Sequence, residues 1–262
     1  MKKSPLLLAL PILLSLSCRE DDPGNTGSVR LDLLATYADA PLVTYGQDYT
    51  YPDGRNIRFQ VLNGYLSELV LVGEDGITEV PLLDALFFDF SDNTTPEDAV
   101  RPLTFRTDRL PVGNYRGLRL GVGVPAAMNT PQANQLPVGN PFRTTFNSHF
   151  WTDWGSFIFF KSEGIYDKDG NGIGQGDPGF GHHPGTDEVF RTVFLDLPFS
   201  VAAGKTTGLE LSLDVSRLYA WEEGAYLDLS DPANLYTHNM NDLSVANQLC
   251  DQHARAWRLR SN

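Results

Sequence analysis

Strict alternation of apolar and polar residues constrains this chain most. Leu209, Leu211, Leu213 and Val215 alternate with Glu210, Ser212 and Asp214, a period of two that gives a strand one dry face and one wet face. Val29, Leu31 and Leu33 alternate with Arg30 and Asp32 in the same way, and Arg191, Val193, Leu195 and Leu197 alternate against Phe190, Thr192, Phe194 and Asp196. A helix has no use for this pattern, because its same-face positions recur every three to four residues. Further strands are predicted at 57–62, 66–72, 79–83, 104–107, 115–122 and 156–161. Turn formers separate them: Pro52-Asp53-Gly54, Glu74-Asp75-Gly76 and Pro111-Val112-Gly113-Asn114, residues that preset or tolerate turn dihedrals. About nine strands at this spacing predict an all-β fold, an antiparallel β-sandwich with Greek-key-like connections.

Helices are predicted to be few and short. Thr95-Pro96-Glu97-Asp98 joins an N-cap residue, a proline at the first helical position and acids in the first turn,. Thr130-Pro131 and Asp231-Pro232 repeat the start signal. The best helical pattern covers 242–253, with Leu243, Ala246, Leu249 and Cys250 on one stripe,. Cys250 is expected to be a small core residue.

The chain opens with Met1-Lys2-Lys3, then an almost wholly apolar stretch over 4–16. That is too short to cross a bilayer as a helix and has the n-region and h-region of a signal peptide. It ends in Ser15-Leu16-Ser17-Cys18, which resembles a bacterial lipobox, with Ser15 where leucine is commoner. The reading is a lipoprotein: residues 1–17 a signal peptide, Cys18 the lipidated new N-terminus and membrane anchor, 18–28 a polar tether, and 29–260 a single domain. A secreted protein cut nearby is the plainer alternative. Glu20-Asp21-Asp22 behind Cys18 resembles an export signal of surface-exposed lipoproteins, an ordinary acidic linker being the other reading. An outer-membrane lipoprotein facing the periplasm or the surface is therefore expected. No later segment is apolar enough to span a membrane. Twenty Lys and Arg stand against 33 Asp and Glu, a formal net charge of −13, or −15 once Lys2 and Lys3 are removed. That excludes nucleic acid as a partner and admits cations.

Four of the five histidines lie in loop-like places. His149 stands in Ser148-His149-Phe150-Trp151-Thr152-Asp153-Trp154, His182 and His183 in Phe180-Gly181-His182-His183-Pro184-Gly185, and His238 in Thr237-His238-Asn239-Met240. Imidazole is the commonest side-chain metal ligand, and with a thioether such as Met240 it suits copper. A lone histidine is ordinarily a surface or hydrogen-bonded residue, but a His-His pair bracketed by Gly and Pro-Gly has no such simple explanation.

These segments together resemble the MbnP-like copper-binding domain family across most of residues 29–257. Asn63-Gly64-Tyr65-Leu66-Ser67-Glu68-Leu69-Val70-Leu71 resembles an early family strand. Leu110-Pro111-Val112-Gly113-Asn114-Tyr115, Gly121-Val122-Gly123-Val124-Pro125 and Met128-Asn129 resemble a second block. Trp151-Thr152-Asp153-Trp154 followed by Lys161-Ser162-Glu163-Gly164 resembles a paired-tryptophan signature, and Gly181 to Gly185 and Thr237-His238 resemble two histidine motifs. The resemblance implies an exported β-sandwich that binds copper through histidines and a tryptophan oxidised to kynurenine by a diheme partner of the cytochrome-peroxidase type. Carried over residue by residue, it makes His183 and His238 ligands. Trp151 and Trp154 match the paired tryptophans, for which core packing is the plain alternative. His149 and His182 depart from the family pattern by placing imidazole near the proposed site, and join Met240 as further candidates.

Asp167-Lys168-Asp169-Gly170-Asn171-Gly172 begins like an EF-hand loop, with oxygen donors at positions one, three and five and glycine at six,. Pro178 occupies the twelfth position, where a bidentate glutamate belongs. Asp167, Asp169, Asn171 and Asp177 thus form either a looser calcium site or an acidic turn without metal. No nucleophile elbow, zinc-protease motif, P-loop or paired-cysteine redox motif occurs, so the protein is not expected to be an enzyme. Two readings result: a copper-binding lipoprotein acting in copper uptake, storage or delivery, or a calcium-stabilised surface adhesion or glycan-binding lipoprotein.

Overall fold

The computed structural model describes residues 25–221 and 224–262. Cys18, the signal peptide and the first part of the tether lie outside the described residues. One sheet contains β1 (Thr26–Tyr37), the short β2 (Ala40–Pro41), and three partners from later in the chain. The other is built on an 18-residue strand. In chain order the remaining strands are β3 (Tyr49–Thr50), β4 (Asn56–Gly73), β5 (Glu79–Asp89), β6 (Leu103–Pro111), β7 (Gly113–Val122), β8 (Phe150–Trp151), β9 (Ser156–Phe157), β10 (Phe160–Tyr166), β11 (Gly179–His182), β12 (Arg191–Val201), β13 (Thr206–Asp214) and β14 (Trp257–Ser261). The first sheet runs β14-β13-β1-β2 with β6 also on β1, and the second runs β11-β10-β4-β7-β12 with β3 and β5 also on β4.

The all-β sandwich is as the alternation predicts, with the dry faces of β12 and β13 turned inward. Leu31, Leu33, Leu211, Leu213, Leu71, Leu118 and Leu120 share one buried cluster, each contributing about 1.5–3 kcal/mol by leaving water. Three details differ from the sequence reading. β1 begins at Thr26, inside the stretch read as tether. β1 pairs with β13 in parallel, Leu31 opposite Leu209, so the sheets are not wholly antiparallel. The two strands expected at 57–62 and 66–72 are one strand, β4. They join at Gly64, where a Cβ would lie 2.7 Å from Phe160 Cβ, so only glycine lets β10 approach. A bulge at 67–70, with Glu68 at φ +49°, then turns the strand between β5 and β7.

The helices are short except the last. They are α1 (Pro96–Ala99), α2 (Pro141–Thr144), α3 (Phe146–His149), α4 (Ser216–Tyr219) and α5 (Ser244–Ala256). Thr95 caps α1, its hydroxyl accepting from Asp98 N–H. The other two proline start signals open short 3-10 turns, Pro131–Gln135 and Pro232–Asn234. α5 buries Ala246, Leu249, Cys250 and, one step further along the stripe, His253.

Candidate metal centre

Period-two geometry divides the adjacent histidines. Along β10, Phe160, Ser162, Gly164 and Tyr166 are buried while Lys161, Glu163 and Ile165 are only partly so. β11 pairs with it, Ser162 opposite His182 and Glu163 opposite Gly181. His182 therefore follows Ser162 into the core, and His183 emerges beside Glu163.

His182 is fully buried. Its Nε2 lies 2.8 Å from the Asn234 carbonyl, which can only accept, and its Nδ1 lies 3.0 Å from the Tyr219 hydroxyl. Burial pushes its pKa down to about 4. His149, at the end of α3, is buried as well. Its Nε2 lies 3.0 Å from Asn63 Oδ1 and its Nδ1 2.9 Å from Ser148 Oγ. Burial, with Lys161 adding to it, pushes its pKa down to about 3. With both nitrogens of each ring already engaged, neither residue offers a lone pair at the surface. These two sequence candidates are core histidines.

His183 and His238 are brought together. Nδ1 of His183 and Nε2 of His238 face each other at 3.0 Å. The backbone arranges this: Gly181 N–H donates to the Leu235 carbonyl at 2.8 Å, and His183 N–H donates to Thr237 Oγ1 at 2.7 Å, so the 235–238 segment runs beside β11. Pro184 and Gly185 tie the loop to the segment between β9 and β10, Phe159 N–H donating to the Pro184 carbonyl at 2.7 Å. A Cβ on Gly185 would lie 2.4 Å from the Phe157 carbonyl oxygen, so glycine is required there. On the other side of His183, Nε2 lies 2.8 Å from Glu163 Oε1. That hydrogen bond above all draws the Glu163 carboxyl below its ordinary range. Burial lowers the His238 pKa, with His183 adding to the effect, which favours the neutral form that metals take.

Trp151 joins the pair through β8. Its ring meets His238 edge to face, centroids 5.1 Å apart, and stacks on Trp154 at 4.4 Å and 10°. The stack is only partly buried, so it is not simple core packing. Trp154 also lines a cleft of about 370 Å³ together with Asn129, Glu188, Met240 and Leu243. Met240 is exposed on that wall. Glu163 is a site residue to which the sequence reading gave no role of its own. Its place in the Lys161-Ser162-Glu163-Gly164 motif, one strand position from His182's partner, was the available signal.

The acidic loop forms a second cluster, where carboxylate oxygens of Asp167, Asp169 and Asp177 lie within 4.8 Å of one another. Asp167 is buried and accepts from Gly170 N–H at 2.8 Å and Gly172 N–H at 3.0 Å; Asp177 accepts from Lys168 and Gly174 N–H groups. Asn171 turns its amide onto Asp169 at 2.7 Å. These bonds account for the loop's shape without an ion.

The donors fit copper: two imidazole nitrogens converge, and a carboxylate holds one ring from behind, as carboxylates commonly do behind metal-bound histidines. The fold and this pair define an all-β sandwich with two facing histidines at its edge. The family model for MbnP matches residues 26–240, and the chain belongs to the MbnP family, which is linked to copper. Among solved structures, MbnP from Methylosinus trichosporium is similar, at 16% identity and a TM-score of 0.44, covering 71% of this chain and 76% of that one. A search of curated proteins finds no match.

Proposed function

We propose that this protein is a copper-binding lipoprotein of the cell envelope, a carrier rather than an enzyme, acting in copper uptake, storage or delivery. His183 and His238 are its ligands. The observation that supports this above all is the pair of facing ring nitrogens at 3.0 Å in a chain of a copper-linked family. Copper bound here would be held by imidazole donors, a ligand type that suits copper. This chain's own contributions are separable. Glu163 orients His183, Thr237 and the Gly181 backbone fix the approach of the two loops, and the Trp151–Trp154 stack covers His238. Of the two tryptophans, Trp151 touches the pair, so it is the one proposed to be oxidised to kynurenine by a diheme partner of the cytochrome-peroxidase type. Anchoring through Cys18 to the outer membrane completes the reading.

A Cu(I) titration of the mature protein tests it. Saturable binding that disappears in the His183→Ala/His238→Ala double variant is expected. Absence of binding, or binding unchanged in the double variant, overturns the proposal. Intact mass of the protein isolated from membranes reports lipidation and tryptophan oxidation together.

A further inference from the structure

We infer that Glu163 holds His183 in the tautomer with its proton on Nε2, leaving the bare Nδ1 lone pair aimed at His238 as the nitrogen that takes the metal. The argument is one of proton counting. A carboxylate only accepts, so the 2.8 Å contact of Glu163 Oε1 with His183 Nε2 places a proton on Nε2. In the neutral form that a metal takes, the His183 ring carries a single N–H, so its Nδ1 has none. The 3.0 Å contact of that Nδ1 with His238 Nε2 then requires His238 to donate. The metal-free chain therefore holds a directed line, from His238 Nε2–H to His183 Nδ1, and from His183 Nε2–H to Glu163.

The two ligands are consequently not equivalent. His183 presents a lone pair before any cation arrives. His238 Nε2 is masked by its own proton, which must leave that nitrogen before a cation can be accepted there. In a neutral ring it moves to Nδ1. His183 thus keeps its tautomer on loading and His238 changes. Glu163 is a positioning residue, acting on the metal only through His183. Its neighbour Lys161 does not compete for the ring, because its ammonium donates to the Ser148 carbonyl at 2.9 Å. The nature of the cation rests on the copper proposal; the tautomer assignment does not.

The test is long-range ¹H–¹⁵N spectroscopy of labelled full-chain protein, extracted in detergent, at pH 8, where an ordinary imidazole is neutral. In the metal-free protein His183 is expected as the Nε2–H tautomer. With Cu(I), which is diamagnetic, His183 stays so and His238 loses its proton from Nε2. Glu163→Gln keeps an accepting oxygen and is expected to preserve the pattern. Glu163→Leu removes it: His183 then populates both tautomers and Cu(I) affinity falls about 10–100-fold, the usual effect of losing such an outer partner. Because Glu163 is partly exposed, the variant is expected to remain folded, and the same spectra show whether it does. An Nδ1–H tautomer for His183 in the parent, or an unchanged tautomer in Glu163→Leu, overturns the inference. The inferred tautomers without Cu(I) uptake overturn the copper proposal and leave the role of Glu163 standing.

Discussion

The buried His253 makes the fold acid-sensitive. The residue extends the apolar stripe of α5, is fully buried, and has no hydrogen-bond partner at either ring nitrogen among the described residues. Its ring lies 4.3 Å from that of Phe160, edge to face, and stacks near Trp257 at 5.7 Å. Burial pushes its pKa from the ordinary 6.5 down to about 3. The unfolded chain therefore binds the proton more readily than the folded one. The stabilising effect of a neutral His253 is fully present above pH 6.5 and is lost as pH falls from 6.5 toward 3. Linkage gives about 2 kcal/mol lost at pH 5, where the unfolded ring is almost wholly charged and the folded one is not. His149 and His182 are depressed in the same direction, so the three together remove about 6 kcal/mol at pH 5, against about 5–15 kcal/mol of total stability for a typical domain.

The variant that isolates one third of this is His253→Phe, a flat ring suited to the contacts with Phe160 and Trp257. Urea unfolding of metal-free protein, followed by tryptophan fluorescence at pH 7.5 and pH 5, gives the loss directly. Metal must be absent, since a ligand bound only by the native state adds its own stability. Stopping at pH 5 keeps most carboxylates ionised. The parent is expected to lose about 2 kcal/mol more than the variant between the two pH values, with equal denaturant slopes. An identical loss in both would refute the reasoning and show that His253 is solvated or paired in solution.

Asp167→Ala removes a buried carboxylate that accepts two backbone N–H groups, and is expected to destabilise the chelator-treated protein by at least about 1.5–3 kcal/mol in urea unfolding, the range for a hydrogen bond to a charged group. Gly185→Ala forces a Cβ to within 2.4 Å of the Phe157 carbonyl oxygen, so a loss of about 1–3 kcal/mol from overpacking is expected together with weaker Cu(I) binding. A Gly185→Ala protein that melts lower but binds Cu(I) as the parent does would show that this loop does not position His183.

How much was legible in the sequence follows from how local each determinant is. The alternation in β12 and β13 is local, because each residue's face is set by its neighbours, and these strands emerged where expected. The Thr95-Pro96 start is local too, since the cap hydroxyl reaches only three residues along. The parallel pairing of β1 with β13 is not: Leu31 meets Leu209 across most of the chain, and neither strand carries a mark of its partner's direction. The fusion of two expected strands into β4 depended on Gly64, which reads in isolation as a break. It is a continuation only because Phe160, far along the chain, needs the space.

The site divides along the same line. That His183 and His238 belong together was readable only through resemblance, since 54 residues of chain lie between the two histidines. The different fates of His182 and His183 were not read from the sequence, which placed both in a loop and made both candidates. In the structure β11 puts Phe180 in the core, and alternation then sends His182 inward and His183 out, with His182 fully buried beside Tyr219. The same rule applied to β10 turns Glu163 outward, where an acid is ordinarily solvated. Only the register of β10 against β11, Glu163 opposite Gly181, shows that outward there means toward His183. A charged residue on the wet face of a strand beside a histidine motif is therefore a candidate partner for an imidazole rather than only a solvated acid, and here Glu163 Oε1 lies 2.8 Å from His183 Nε2.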